Sequence, residues 1–406
     1  MESALPVVSV VLRTVFLLGV ALVCDVSSAV DVEGNDTLAF DASAEYGFHS
    51  NLFALPSGER PVGLEQRSAT TRTWSVGLRL DKTYGLQRVI IDGSLDRYQY
   101  EPFSNLDFTG HDLTSALLWH VTPDISGNVF FDRKKTPTKF ENTGFRTTPD
   151  PRVNDLTRLD VDWRAGAALH PRLSAFETKS SSEVPNFQVE NSKVRSTELS
   201  LIYQFRSGNE LAGYARRANG TNANNDGPPI VFEDRNFREY EYGVRGLWEA
   251  KGLYRLEGNI GYLDRDFRTF SVRSFDGAVG SVRYRYALTG KTELRLEALR
   301  TLASTQTSSA SYCQCDTASA GVAWTATGKI TLLPTYAFRR KDYKGPPVAV
   351  SRTLLETTHE TNLQILWDVA RSLHVSLNVG RARRVANDAS LNYSDRTASV
   401  LVRGDF

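Results

Sequence analysis

From residue 30 onward, apolar and polar positions alternate with a period of two in one segment after another. Leu159, Val161, Trp163, Ala165, Ala167 and Leu169 alternate with Asp160, Asp162, Arg164, Gly166 and Ala168. Leu199, Leu201, Tyr203 and Phe205 alternate with Glu198, Ser200, Ile202 and Gln204. Tyr240, Tyr242, Val244 and Trp248 alternate with Glu239, Glu241, Gly243, Arg245 and Leu247, and Ala318, Ala320, Val322 and Trp324 repeat the rhythm. Side chains two apart share one face of a strand, so each segment predicts a strand with one apolar and one polar face. No segment keeps a helical period.

The connections alternate as well. Short turns are predicted near 81–86, 122–124, 170–172, 206–209, 250–252, 289–291, 327–329 and 368–372. Long polar loops fall between them, near 49–67, 101–110, 133–155, 179–195, 218–237, 264–274, 303–316, 341–354 and 384–392. Such a series delimits about 18 strands of roughly 21 residues each with its connection, which fits tilted strands crossing a membrane. Soluble β-sandwiches do not keep a strict short-long order. The apolar face is sparse and carries Ala, Gly and Tyr, which suits lipid rather than a sheet-on-sheet core. The expected fold is all-β: a single transmembrane antiparallel up-and-down barrel over 30–406, with short periplasmic turns and long extracellular loops.

Residues 1–29 read as a secretory signal. Arg13 supplies the charge, Thr14 to Val23 the apolar stretch, and Ser27 and Ala29 the small residues before a cut at Val30. Ten apolar residues are too few for a membrane anchor. Lys plus Arg total 48 and Asp plus Glu 47, a net charge of +1 that argues against nucleic-acid binding. Of the 3 cysteines, Cys24 falls in the signal, and Cys313 and Cys315 fall in a Ser/Thr-rich stretch read as loop. Two thiols without a nearby His do not make a zinc site; a small disulfide or two free thiols are the alternatives.

The chain ends Val400-Leu401-Val402-Arg403-Gly404-Asp405-Phe406. Val400, Val402 and the terminal Phe406 share one face, similar to the C-terminal assembly signal of outer-membrane barrels. Near the start stand Glu45-Tyr46-Gly47-Phe48-His49-Ser50-Asn51-Leu52-Phe53, then Arg67-Ser68, Tyr84-Gly85-Leu86-Gln87-Arg88, Tyr98 and Leu118-Trp119. These residues resemble the EpsL-type outer-membrane proteins of exopolysaccharide operons linked to exosortase systems, a porin-like family. His49, Ser50 and Ala54 depart from that pattern, in which two acidic residues and an Arg are usual. The resemblance implies an outer-membrane channel or accessory component in exopolysaccharide biosynthesis or export. A glycan polymer, periplasmic export components, the barrel assembly machinery and outer-membrane lipid would be its partners. A general diffusion porin and a surface adhesin are the alternatives.

Enzymatic chemistry finds little support in the residues. None of the 6 histidines has a metal-ligand spacing, and neither a nucleophile elbow nor a phosphate-binding loop is present, so no cofactor or metal is expected. The candidate site is the inner wall. Period-two parity turns Arg88, Asp92, Asp96, Tyr98, Asp160, Asp162 and Arg164 inward on early strands. It does the same for Arg245, Arg255, Glu257, Arg283, Arg285, Glu293, Arg295 and Glu297 on later ones. Two registers pair the wall across Thr289-Gly290: Arg285 faces Glu293, or Arg283 faces Glu297, with Arg245 near Glu257 extending the row. The basic loop 133–155 is expected to fold inward towards Asp160 and Asp162.

Overall fold

The computed structural model describes residues 37–59, 66–137, 151–166, 168–182, 184, 191–222, 236–250, 252–304, 310–346 and 353–406. Residues 1–29, read as a secretory signal, lie outside the described residues, as does 138–150, the middle of the basic loop expected to fold inward.

Eighteen strands form one closed antiparallel sheet, each pairing with its neighbours in sequence and β1 pairing with β18. They are β1 (Thr37–His49), β2 (Ala69–Tyr84), β3 (Gln87–Glu101), β4 (Phe108–His120), β5 (Ile125–Thr136) and β6 (Arg152–Trp163). Next come β7 (Leu169–Ser182), β8 (Ser192–Gln204), β9 (Glu210–Asn222), β10 (Asn236–Ala250), β11 (Tyr254–Phe267) and β12 (Phe275–Thr289). The last six are β13 (Thr292–Ser304), β14 (Tyr312–Thr327), β15 (Ile330–Lys344), β16 (Leu355–Ala370), β17 (Leu373–Ala386) and β18 (Tyr393–Asp405). The predicted architecture is the observed one. No helix among the described residues is long and apolar enough to cross a membrane.

The short turns have local causes. Gly85 and Gly208 sit at φ +60° and +86°, where a Cβ would be strained, and each opens a tight reversal. Thr122, Thr289 and Thr327 each accept, through Oγ1, the backbone N–H two residues on. Ladder irregularities at Ala287/Thr289 and Thr325/Thr327 absorb the tight return. One predicted turn is misplaced: the chain reverses between Trp163, the last residue of β6, and Leu169, the first of β7, and His170-Pro171-Arg172 belongs to β7. Pro171 lies beyond the last residue paired with β6, so its missing N–H costs no ladder bond on that side.

The outer face is apolar and uncovered. Trp74, Val76, Leu95, Leu173, Leu199, Tyr242, Ile260 and Val379 are all more than half exposed. An apolar belt of this extent is incompatible with water and matches the lipid-facing band of a membrane barrel. Trp119, Trp163, Trp248, Trp324 and Trp367 all stand within a few residues of short turns, forming an aromatic girdle at that end. The barrel closes at the chain ends. Glu45, Gly47 and His49 face Leu401, Ser399 and Thr397, and Phe406 and Phe40 exchange backbone bonds at 2.7 and 3.0 Å.

Candidate functional site in the barrel lumen

Because the outer face meets lipid, the polar faces of all eighteen strands converge on one lumen. Register places Arg88, Asp92, Asp96, Tyr98, Asp160, Asp162, Arg245, Arg255, Glu257, Arg283, Arg285, Glu293, Arg295 and Glu297 on the inner face. Arg164 is the exception. It lies exposed just past the end of β6, where its backbone N–H donates to the Asp124 carbonyl. Arg158 and Arg172 take the place expected of it: Arg158 bonds Asp160 at 2.7 Å and Arg172 bonds Asp162 at 2.5 Å.

On β11–β13 the register is the one that sets Arg283 opposite Glu297. Arg283 donates to Glu257 and Glu297 at 3.4 and 3.3 Å. One row nearer the short turns, Arg255, Arg285 and Arg295 stand side by side on three adjacent strands. Arg255 is held by Glu249 and Glu257, and Arg295 by Glu293 at 2.5 Å. Arg285 is exposed to the lumen and makes no ion pair or side-chain hydrogen bond among the described residues. The expected Arg245–Glu257 contact does not form. Arg245 lies opposite Asn259 and reaches back to Glu198 at 2.6 Å, because Leu247 holds the position facing Glu257.

The inner face of β1–β5 leans the other way. Asp41, Glu45, Asp81, Asp92, Asp96, Asp112 and Asp132 outnumber Arg79, Arg88 and Lys134. β3 and β12 lie nine strands apart in an eighteen-strand ring, so Asp92 and Arg285 stand on opposite walls. Each is about five residues from its short turn, which sets them at similar height. The lumen thus carries a transverse field at this level, and in a narrow low-dielectric tube such fields act more strongly than in bulk water.

Nearer the long loops the wall is packed rather than open. Glu239 accepts from Arg216 at 3.2 Å and from Arg265 at 2.8 Å, and Glu241 accepts from the Tyr214 hydroxyl at 2.6 Å and from Arg216. All five side chains are buried. Tyr214 lies flat over Gly243 and Gly261; a Cβ at either position would come within 2.7–2.8 Å of its hydroxyl. The Arg265 guanidinium stacks 4.1 Å from the Phe237 ring. Sequence reasoning did not single out Arg216 and Arg265, although they share the inward parity of Glu198 and Glu257.

Two apolar clusters narrow the long-loop mouth. Phe53 and Leu55 of the first loop are buried against Ala69, Tyr100, Phe103 and Leu106. Phe237, Leu263, Phe267, Phe275 and Val279 pack together on the far wall. Two of the residues that depart from the family pattern, His49 and Ser50, fasten the first loop together with Asn51. His49 Nδ1, the Ser50 hydroxyl and the Asn51 backbone N–H all meet the Asp395 carboxylate, at 3.0, 3.0 and 2.8 Å. Asn51 also braces Leu55, accepting its N–H at 3.0 Å and donating to its carbonyl at 2.8 Å. Cys313 and Cys315 are in β14, not in a loop, and form a disulfide between adjacent positions of one face.

The architecture is that of an eighteen-strand outer-membrane β-barrel, and the uncovered apolar belt places it in a bacterial outer membrane. Among solved structures the chain is similar to several Pseudomonas aeruginosa proteins, OccK9, OpdK and OccK2 among them. OccK9 (OpdG) superposes with a TM-score of 0.52 at 9% identity, over 92% of this chain and 99% of that one. OpdK, described with vanillate, gives 0.51 at 10% identity, over 91% and 99%. OccK2 (OpdF) gives 0.50 at 10%, over 92% and 98%. No protein-family model and no curated protein matches the chain. The likeness supports a porin-type barrel and lends nothing to the exopolysaccharide family that the first-loop residues resemble.

Proposed function

We propose that the protein is a diffusion channel of the outer membrane for small hydrophilic solutes, with a preference for organic anions. The observation that carries this reading is Arg285, uncommitted and lumen-exposed in a row of three arginines opposite an acidic wall. Surface-type ion pairs add only about 0–1 kcal/mol each, so stability alone does not account for the row. A guanidinium with free donors takes a carboxylate in bidentate fashion. The apolar clusters at the mouth suit a solute with an apolar part as well as an anionic one, and vanillate accompanies the OpdK neighbour. The exopolysaccharide reading rests on a first-loop resemblance from which His49 and Ser50 depart, and here those two residues fasten the loop to Asp395, so the diffusion channel is preferred. In this reading both termini and the short turns face the periplasm.

Purified protein in planar lipid bilayers under a salt gradient tests the proposal. Stepwise conductance with a reversal potential on the anion-selective side is expected. A protein that folds and inserts but gives no steps would overturn the channel reading.

A further inference from the structure

At the long-loop edge of the apolar belt, β17 and β18 carry a close group of three outward arginines, two of them directly opposed in register. On their outer face the series Val375, Leu377, Val379 runs beside Val402, Val400, Ala398. It then changes abruptly to Arg381 and Arg383 beside Arg396. All three arginines are exposed, whereas Asn378, Arg384, Asp395 and Ser399 of the opposite parity are buried towards the lumen. From Leu373 to Arg381 the strand rises about 20 Å along the barrel axis at the usual tilt, near the full height of a lipid-facing band. An aromatic group marks the same level. Tyr336 bonds His359 at 2.7 Å, Phe338 packs edge-on against it, and His359 stands opposite Arg383.

Arg381 lies directly opposite Arg396 in register. Like charges so placed repel. Some outer-face cations hold carboxylates, Arg300 with Asp316, Arg72 with Glu101, Arg133 with Asp155 and Arg195 with Glu177, whereas Arg97, Lys179, Arg217 and Arg238 hold none among the described residues. Arg381, Arg383 and Arg396 hold none among the described residues. The outer faces of β16–β18 and β1 contain no carboxylate that could serve, since Glu356, Glu360 and Asp395 point the other way. Three guanidiniums at a lipid boundary, with aliphatic side chains below and aromatic ones beside them, call for anions supplied from the lipid.

We propose that Arg381, Arg383 and Arg396 form a headgroup site for a phosphorylated glycolipid of the outer leaflet. Its phosphates bridge the arginines, and its acyl chains lie along Val379, Ala398 and Val400. Bidentate pairing with phosphate relieves the Arg381–Arg396 repulsion. The site rests on the reading that the long loops face outwards, and its test is separate from that of conduction.

A photo-reactive benzophenone side chain is placed at Ala398 in the full chain, reconstituted in phosphatidylethanolamine vesicles containing bisphosphorylated lipid A. Irradiation should yield a lipid A adduct. The adduct should fall at least tenfold with dephosphorylated lipid A, with phosphatidylglycerol at equal charge, or in the Arg381→Gln/Arg383→Gln/Arg396→Gln variant. Arg300→Gln, whose arginine already holds Asp316, should leave the yield unchanged. Equal yield in the triple variant, equal yield with phosphatidylglycerol, or no lipid A adduct in the wild type would each overturn the site. The triple variant should keep wild-type heat-modifiable mobility and conductance, so that a failure of the channel reading and a failure of the lipid site are told apart.

Discussion

Arg285 illustrates how much a single position depends on register. Shifted by two residues, it would face Glu293 and be neutralised; in the observed pairing it faces Arg295 and stays uncommitted. Replacing Arg283, Arg285 and Arg295 by Ala should move the reversal potential towards cation selectivity. The midpoint of thermal unfolding should change little, since pairs this wet contribute about 0–1 kcal/mol each. An unaltered reversal potential would mean that this wall does not border the ion path. Gly243 gives the opposite case, a position with no charge and a large expected effect. A Cβ there would meet the Ile260 carbonyl at 2.4 Å and the Tyr214 hydroxyl at 2.7 Å. Gly243→Ala should therefore displace Tyr214 from Glu241 and lower stability by about 1–3 kcal/mol, read as a lower denaturant midpoint. Parity alone told which side chains face inward. It could not say which register holds, which is why Arg245 was assigned to Glu257 when its partner is Glu198 on a strand two places away.

Among elements, the strands were legible because one face meets lipid and the other water, which keeps the period of two clean. Turns were legible wherever Gly or Thr does a local job, as at Gly85 and Thr327. Proline misled the reading at Pro171, where a turn signal sits at the open start of a strand. The first loop was visible as a motif but not as a fastening, because Asp395 lies far away in sequence and only barrel closure brings it to His49, Ser50 and Asn51. Asp395→Ala removes the acceptor of all three and should free the loop from the mouth. Larger single-channel conductance and faster proteolysis near residues 50–67 are expected; unchanged values of both would show that the apolar contacts of Phe53 and Leu55 hold the loop unaided. The last strand has a comparable test. Deleting Phe406 removes the reciprocal backbone pair with Phe40 at the seam. The yield of heat-modifiable barrel should fall, and an unchanged yield would deny the terminal residue a part in assembly.

At the scale of the whole molecule, closure creates what no single strand contains. β3 and β12 become opposite walls only because eighteen strands join into a ring, and so Asp92 comes to face Arg285 across the lumen. The same closure sets the girdle of tryptophans at the short-turn end against the arginines and aromatics at the other, giving the barrel an orientation. A cysteine replacing Ser390 in the 387–392 loop should react with an impermeant maleimide on whole cells, and one replacing Ser207 in a short turn should not. Reversed labelling would invert the barrel. The central claim, that the arginine row borders a water-filled conduction path, is tested most directly by Arg285→Cys in a planar bilayer. A cationic methanethiosulfonate added during recording should change the conductance of this variant in discrete steps, while Val282→Cys, on the lipid-facing side of the same strand, should not respond. Modification of Arg285→Cys, verified by mass, with no change in conductance would contradict the account.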